Sequence, residues 1–254
     1  MLIGIGLAIA AAMLVLELFG YRQGRRSAES KGKEQHDGLG VVEAAVFALL
    51  GLLLAFLFGG AAERLGDRRD AAVREANAIG TAYLRLDLLP PADAARLRAK
   101  LRGYLEARLR AVEASADIEV ASSHEREADR LRQEVWSDAV LVVQAVGDRE
   151  VKQLVIQSLN DVIDIATERS TMRNTHAAVP IQVFLVVLAL VGALLAGFSM
   201  SRCLHPPWMH MLIFATVVSA TIYLIFDMEY PRLGLIRIGA ADRPMTELLE
   251  SMRK

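Results

Sequence analysis

Cysteine is almost missing: Cys203 is the only one in 254 residues, so no intrachain disulfide framework can staple the fold. Net charge is nearly missing too. Twenty-nine Lys and Arg stand against 30 Asp and Glu, which leaves a formal −1 and no basic surplus for nucleic acid. Strand periodicity of useful length, internal repeats and low-complexity tracts are absent. So are the usual marks of an enzyme: no Ser or Cys nucleophile has a placed base, and no Gly-rich phosphate loop or metal motif occurs. Cys203, His205 and His210 are zinc-capable types. Their spacing fits no usual ligand pattern, Pro206-Pro207 intervenes and a fourth ligand is lacking, so neither metal nor other cofactor is expected. His124 and His176 lie in polar helical regions and are expected to be exposed.

What is present is apolar length. The chain is 54% hydrophobic with a mean hydropathy of +0.32, more than a soluble domain of this size carries. Four segments are long enough to cross about 30 Å of hydrocarbon. They are Leu2 to Phe19, interrupted by Glu17; Leu39 to Ala62, with Glu43 near its start; Ala177 to Met200; and Trp208 to Phe226. No Lys or Arg precedes the first, so a retained anchor helix is expected rather than a signal peptide. The loop SRCLHPPW makes the last two spans a tight antiparallel hairpin, with Trp208 at the interface.

Residues 63–176 are rich in Arg, Glu, Asp and Ala. One helix runs straight on from the second span, with Leu65, Ala72, Ala76, Ile79 and Tyr83 recurring at threes and fours. Pro90-Pro91 ends it. In the next helix Leu97, Leu101, Tyr104, Leu105, Leu109 and Val112 share a face. Ser122 with Glu125 predicts a capping box for a third helix, ending at Gly147. Asp148 predicts the cap of a fourth, ending near Asn174. Asn77 and Asn160 fall amid apolar faces, either bonding between helices or lining an aqueous vestibule. The expected organisation is all-α. Residues 1–62 hold two transmembrane helices, 63–176 an extramembrane bundle and 177–226 two more spans. Residues 227–254 form a polar tail ending in a short amphipathic helix.

Lys and Arg near the span ends favour a cytoplasmic bundle with both termini on its side, although five basic residues in the first short loop pull the other way. In the second span Phe47, Leu50, Leu54 and Phe58 share one face. Several copies around an axis would make an apolar constriction that gates by dewetting; the alternative is a lipid-facing or interhelical stripe. Glu43 lies about one turn inside, as a cation-attracting ring or as an interfacial side chain reaching water. Glu63, Arg64 and Arg68, with Arg69, form either a charged mouth or a solvated interface. Gly51, Gly59, Gly60, Gly192 and Gly197 suit close helix contact.

After the fourth span comes FDMEYPRLGLIRI. Asp227 and Glu229 sit at a helix C-terminus, the wrong end of its dipole for carboxylates, so cationic neighbours are expected, Arg232 and Arg237 being candidates. Pro231 stops the helix and Gly234 permits a turn. The stretch reads as a tail anchor, with a cation site at a pore mouth as the alternative.

Three stretches carry a resemblance: EANAIGTAYLRLDLLPP (75–91), SLNDVIDIATERSTMR (158–173) and the D-x-E-x-P-x-x-G pattern at 227–234. Together, and with two spans, a bundle, two spans and a tail, the chain resembles the bestrophin-like membrane proteins of bacteria over nearly its whole length. The resemblance implies a pentamer-like ring of identical chains in the bacterial inner membrane. It further implies inorganic ions as the conducted species, a second span lining a hydrophobic neck and a bundle extending the pore into the cytosol. One departure is the acidic calcium clasp after the last span of animal bestrophins, of which Asp227 and Glu229 are the only echo; calcium gating is not expected. A non-conducting membrane scaffold or sensor, whose bundle binds a partner, is the competing reading. It requires the Phe47 to Phe58 face to be buried against another span of the same chain.

Overall fold

The structure, a computed structural model, describes residues 2–31, 39–114, 117–230, 235–236 and 243–253. Its elements are helices α1 (Leu2–Lys31), α2 (Leu39–Arg85), α3 (Pro91–Glu113), α4 (Ile118–Ala145), α5 (Arg149–Asn174), α6 (Val179–Met200), α7 (Trp208–Glu229) and α8 (Arg243–Ser251). A 3-10 turn, Leu86–Leu88, follows α2. No strand occurs among the described residues. Four helices, α1, α2, α6 and α7, are long and apolar enough to cross a membrane. The chain divides into two compact units, Met1–Leu65 with His176–Ile236 and Gly66–Thr175 with Arg237–Lys254.

In the first unit α1 packs on α6 and α7. Its buried residues Ile9, Met13, Glu17 and Tyr21 recur every four positions, the spacing that puts them on one helical face. The approach to α6 is close enough to need glycine. A Cβ at Gly197 would collide with the backbone of Glu17, and one at Gly20 with the carbonyl of Leu194. Small residues at such crossings let backbones meet where lipid supplies no hydrophobic drive. α1 also outlasts the apolar stretch that ends at Phe19. Its polar extension is held by the α6–α7 connection: Tyr21 Oη donates to the Cys203 carbonyl (2.9 Å) and Arg25 Nη1 to that of Leu204 (2.6 Å).

The second unit is a helical bundle whose core includes Ile79, Leu86, Leu97, Leu101, Tyr104, Leu105, Val155, Leu159 and Val162. Pro91 opens α3 at its first turn, where a missing N–H costs nothing. The cap of α4 differs from expectation. Asp117 accepts from Glu119 N (3.1 Å) and Val120 N (3.2 Å), so the helix starts five residues before Ser123. Ser122 lies inside it, past the N-terminal amides a cap would serve, and donates to the Glu119 carbonyl. Asp148 does cap α5, accepting from Glu150 N (2.8 Å) and Val151 N (3.2 Å). Asn77 and Asn160 are exposed, and Asn160 donates to Asp164 on its own helix. α8 buries Met245 and Leu249 in the bundle core.

Candidate functional site

The membrane stretch of α2 is the least packed of the four spans: 11% of its most apolar stretch is buried within the chain, against 33% for α6 and for α7. Its packed side carries Leu50, Leu57, Ala61 and Leu65, all buried. Phe47 meets Phe214 of α7 edge-on, with centroids 5.8 Å apart, and Phe47 and Leu50 lie against Gly192 of α6. Leu54 and Glu43 are half-buried and Phe58 is exposed. The opposite side presents Ala45, Ala48, Leu52, Ala55, Phe56 and Gly59, all exposed, at helical spacing. A Cβ added at Gly51 or Gly59 would meet no described residue beyond its own helical turns, whereas one at Gly192 or Gly197 would. Thus the close-contact role expected of the glycines applies to α6, and its partners on α1 are Glu17 and Gly20.

At the end of this stretch Glu63 is exposed, while Arg64 turns into the fold. Arg64 Nε and Nη2 both lie 3.0 Å from Glu229 Oε2, and the Glu229 side chain is 1% exposed. The other carboxylate oxygen accepts a short bond from Ala177 N, just ahead of α6. His176 Nδ1 lies 3.8 Å from the same oxygen, and its ring stacks on Tyr230 with centroids 4.6 Å apart. Glu229 therefore ties α2, the start of α6 and the end of α7 together. A guanidinium and a helix N-terminus offset the unfavourable dipole end of α7. Asp227 Oδ2 accepts from Leu235 N (3.1 Å) and Ile236 N (3.0 Å), so its carboxylate holds the chain that leaves α7. Pro231, Arg232, Gly234 and Arg237 lie outside the described residues.

In the bundle, Arg68 is buried and caps the end of α5, donating to the carbonyls of Met172 (3.3 Å) and Thr175 (2.9 Å). The bundle also holds a charged centre that sequence reasoning missed. Glu75, fully buried, accepts two bonds from Arg108 (3.0 and 3.1 Å), one from Tyr104 Oη (2.8 Å) and a short one from Arg169 Nη1. Burial alone would push the Glu75 carboxyl up, but Arg108 and Arg169 outweigh it and hold the group down at about 2. Burial and the neighbouring Glu75 charge push the Tyr104 hydroxyl up, so it stays a donor. A signal was available. Glu75 is three residues after Ala72 and four before Ile79. Arg108 is four after Tyr104, and Arg169 is three after Ala166. Each charge falls in the register of a buried face.

Four helices of membrane length and a bundle carried between the second and third define a multi-pass all-α membrane protein. The chain belongs to the bestrophin-like family, since the Bestrophin-like domain matches residues 7–242. Two variants of a bacterial bestrophin homologue from Klebsiella pneumoniae share its fold. One has TM-score 0.71 and 14% identity over 94% of this chain and 97% of that one; the other has 0.72 and 14% over 97% of both. A further crystal structure, described as a membrane protein, matches with TM-score 0.69 and 15% identity over 96% and 97%. No curated protein matches.

Proposed function

We propose that this chain is the subunit of a homo-oligomeric ion channel whose hydrophobic neck is formed by the membrane stretch of α2. The observation that carries this reading is the unpacked apolar side of α2, when every other span buries more of itself within the chain. A ring of copies gives that side an axis or a neighbouring subunit to face. Leu52 and Phe56 stand at the centre of the neck, Leu54 and Phe58 at its edge, and Phe47 and Leu50 on the packing side. Glu63 faces the mouth, and Glu43 supplies a second acidic position. Arg64, spent on Glu229, adds little positive charge there, so cations are favoured over anions. The bundle and both termini face the cytoplasm of a bacterial inner membrane. Labelling of the exposed Cys203 on intact cells tests that orientation: reagent should reach it from outside.

Purified protein in liposomes should pass ions, and Glu63→Gln should shift the reversal potential in a salt gradient. A well-folded oligomer that passes neither sign of ion under any tested condition sinks the proposal.

The scaffold reading draws support from one contact set, the packing of Phe47 and Leu50 on α6 and α7. A mass measurement in detergent separates the two: a closed ring supports the channel, a monomer or dimer the scaffold.

A further inference from the structure

Between α3, α4 and α5 of the bundle lies a pocket, partly open to solvent, of about 150 Å³, roughly the volume that accepts a ligand of six non-hydrogen atoms. Its lining is polar. Arg108, Arg132 and Arg173 reach it from three different helices, with Thr167 and Ser170 of α5 beside them. Glu125 and Asp129 supply the opposing charge.

Arg108 and Arg132 keep N–H groups beyond those they spend on carboxylates. Arg108 spends Nε and Nη2 on Glu75, and no described residue accepts from its Nη1. Arg132 pairs through Nη2 with Asp129 (3.0 Å), whose side chain is 61% exposed and so screened by water. Arg173 pairs with Glu125 across α5 and α4. Three guanidiniums and two carboxylates thus line the pocket. The hydroxyls of Thr167 and Ser170 donate to carbonyls of their own helix, at Ile163 and Thr167, which leaves their oxygens as acceptors.

We infer that this cavity is a binding site for a small oxyanion, one that Arg132 and the unused edge of Arg108 grip between α3 and α4. Guanidinium N–H pairs match two oxygens of one anion, a geometry that a spherical halide cannot use. The volume excludes a nucleotide. A bound anion would tie α3 to α4 by direct bonds, so occupancy stiffens the bundle.

The test uses full-length protein in detergent and inorganic phosphate as the probe. Equilibrium dialysis should give saturable binding of about one phosphate per chain, and phosphate should raise the melting temperature at constant ionic strength. Arg132→Gln, which gives up a pair whose Asp129 end is exposed, should weaken binding by about tenfold or more. Ser170→Leu, which fills the cavity, should do the same, and both variants should melt like the parent without phosphate. Sulfate should compete and chloride should not. Absence of saturable binding, equal binding by both variants, or equal competition by chloride overturns the site. None of these readouts needs ion flux, so the site and the channel stand or fall separately.

Discussion

Arg64 and Glu229 lie 165 positions apart in the chain and 3.0 Å apart in the fold. The carboxylate is buried and the guanidinium about a quarter exposed. Breaking a buried pair from one side strands the other charge. Glu229→Ala should therefore cost about 3 kcal/mol, and Arg64→Gln less, because it leaves Ala177 N and His176 beside the carboxylate. Thermal melts followed by circular dichroism give that order. Equal losses would show that Arg64 alone holds Glu229.

Glu75 is bonded by Arg108, Arg169 and Tyr104 in a closed core. Glu75→Gln keeps the shape and removes the charge, so it should destabilise the bundle by about 3–5 kcal/mol. A pH dependence follows from the same contacts. The carboxyl is held at about 2 against an ordinary 4.5, so the unfolded chain binds the proton more readily. The stabilisation is complete above about 4.5 and drains away as pH falls toward 2. Melting temperature should drop across that window in the parent and less in Glu75→Gln.

Glu17 is fully buried in α1, and neither carboxylate oxygen has a hydrogen-bond partner among the described residues. An unpartnered polar group in such a place costs free energy. Glu17→Met should raise thermal stability by about 1–3 kcal/mol with the assembly unchanged. A lower melting temperature would show that the carboxyl has a use the packing does not reveal.

The α1–α6 crossing depends on Gly197, where any Cβ strikes the Glu17 backbone. Gly197→Val should lose more than about 2 kcal/mol or fail to assemble. Gly4→Ala is the control, since a Cβ there meets no described residue beyond its own helical turns. Comparable losses in both would deny the crossing its special status.

The two sides of α2 should behave differently. Phe47→Ala removes packing against Phe214 and should lower stability by about 3 kcal/mol with little direct effect on conduction. Phe56 is 70% exposed, so Phe56→Ala should leave stability near the parent and raise single-channel conductance in liposomes. The reverse pattern would put the Phe47 side on the axis.

Much of the fold was legible in advance, for reasons that are local. Apolar length set the four spans, and the three-and-four spacing of Leu97, Leu101, Tyr104 and Leu105 set the face of α3. Asp148 ahead of α5 was readable as a cap because a short acceptor there meets only its own helix's N–H groups. The misreading at Ser122 has the same origin: Asp117 offered a competing acceptor five residues earlier, and its helix had already begun. The polar lengthening of α1 was not legible. Tyr21 and Arg25 are held by carbonyls about 180 positions away, and no local pattern shows that.

By itself the sequence determined an all-α membrane chain with four spans, an intervening bundle and family membership carried by motifs occurring in order. Hydrophobic length and helical period act within one segment, so they can be read without knowing what the segment meets. Only tertiary structure decided which side of α2 is packed, that Arg64 and Arg68 serve Glu229 and the end of α5, and that Glu75 sits at a charged centre. Each of those depends on groups brought together from distant segments, where the cost of burying a charge is offset by a partner that sequence distance conceals.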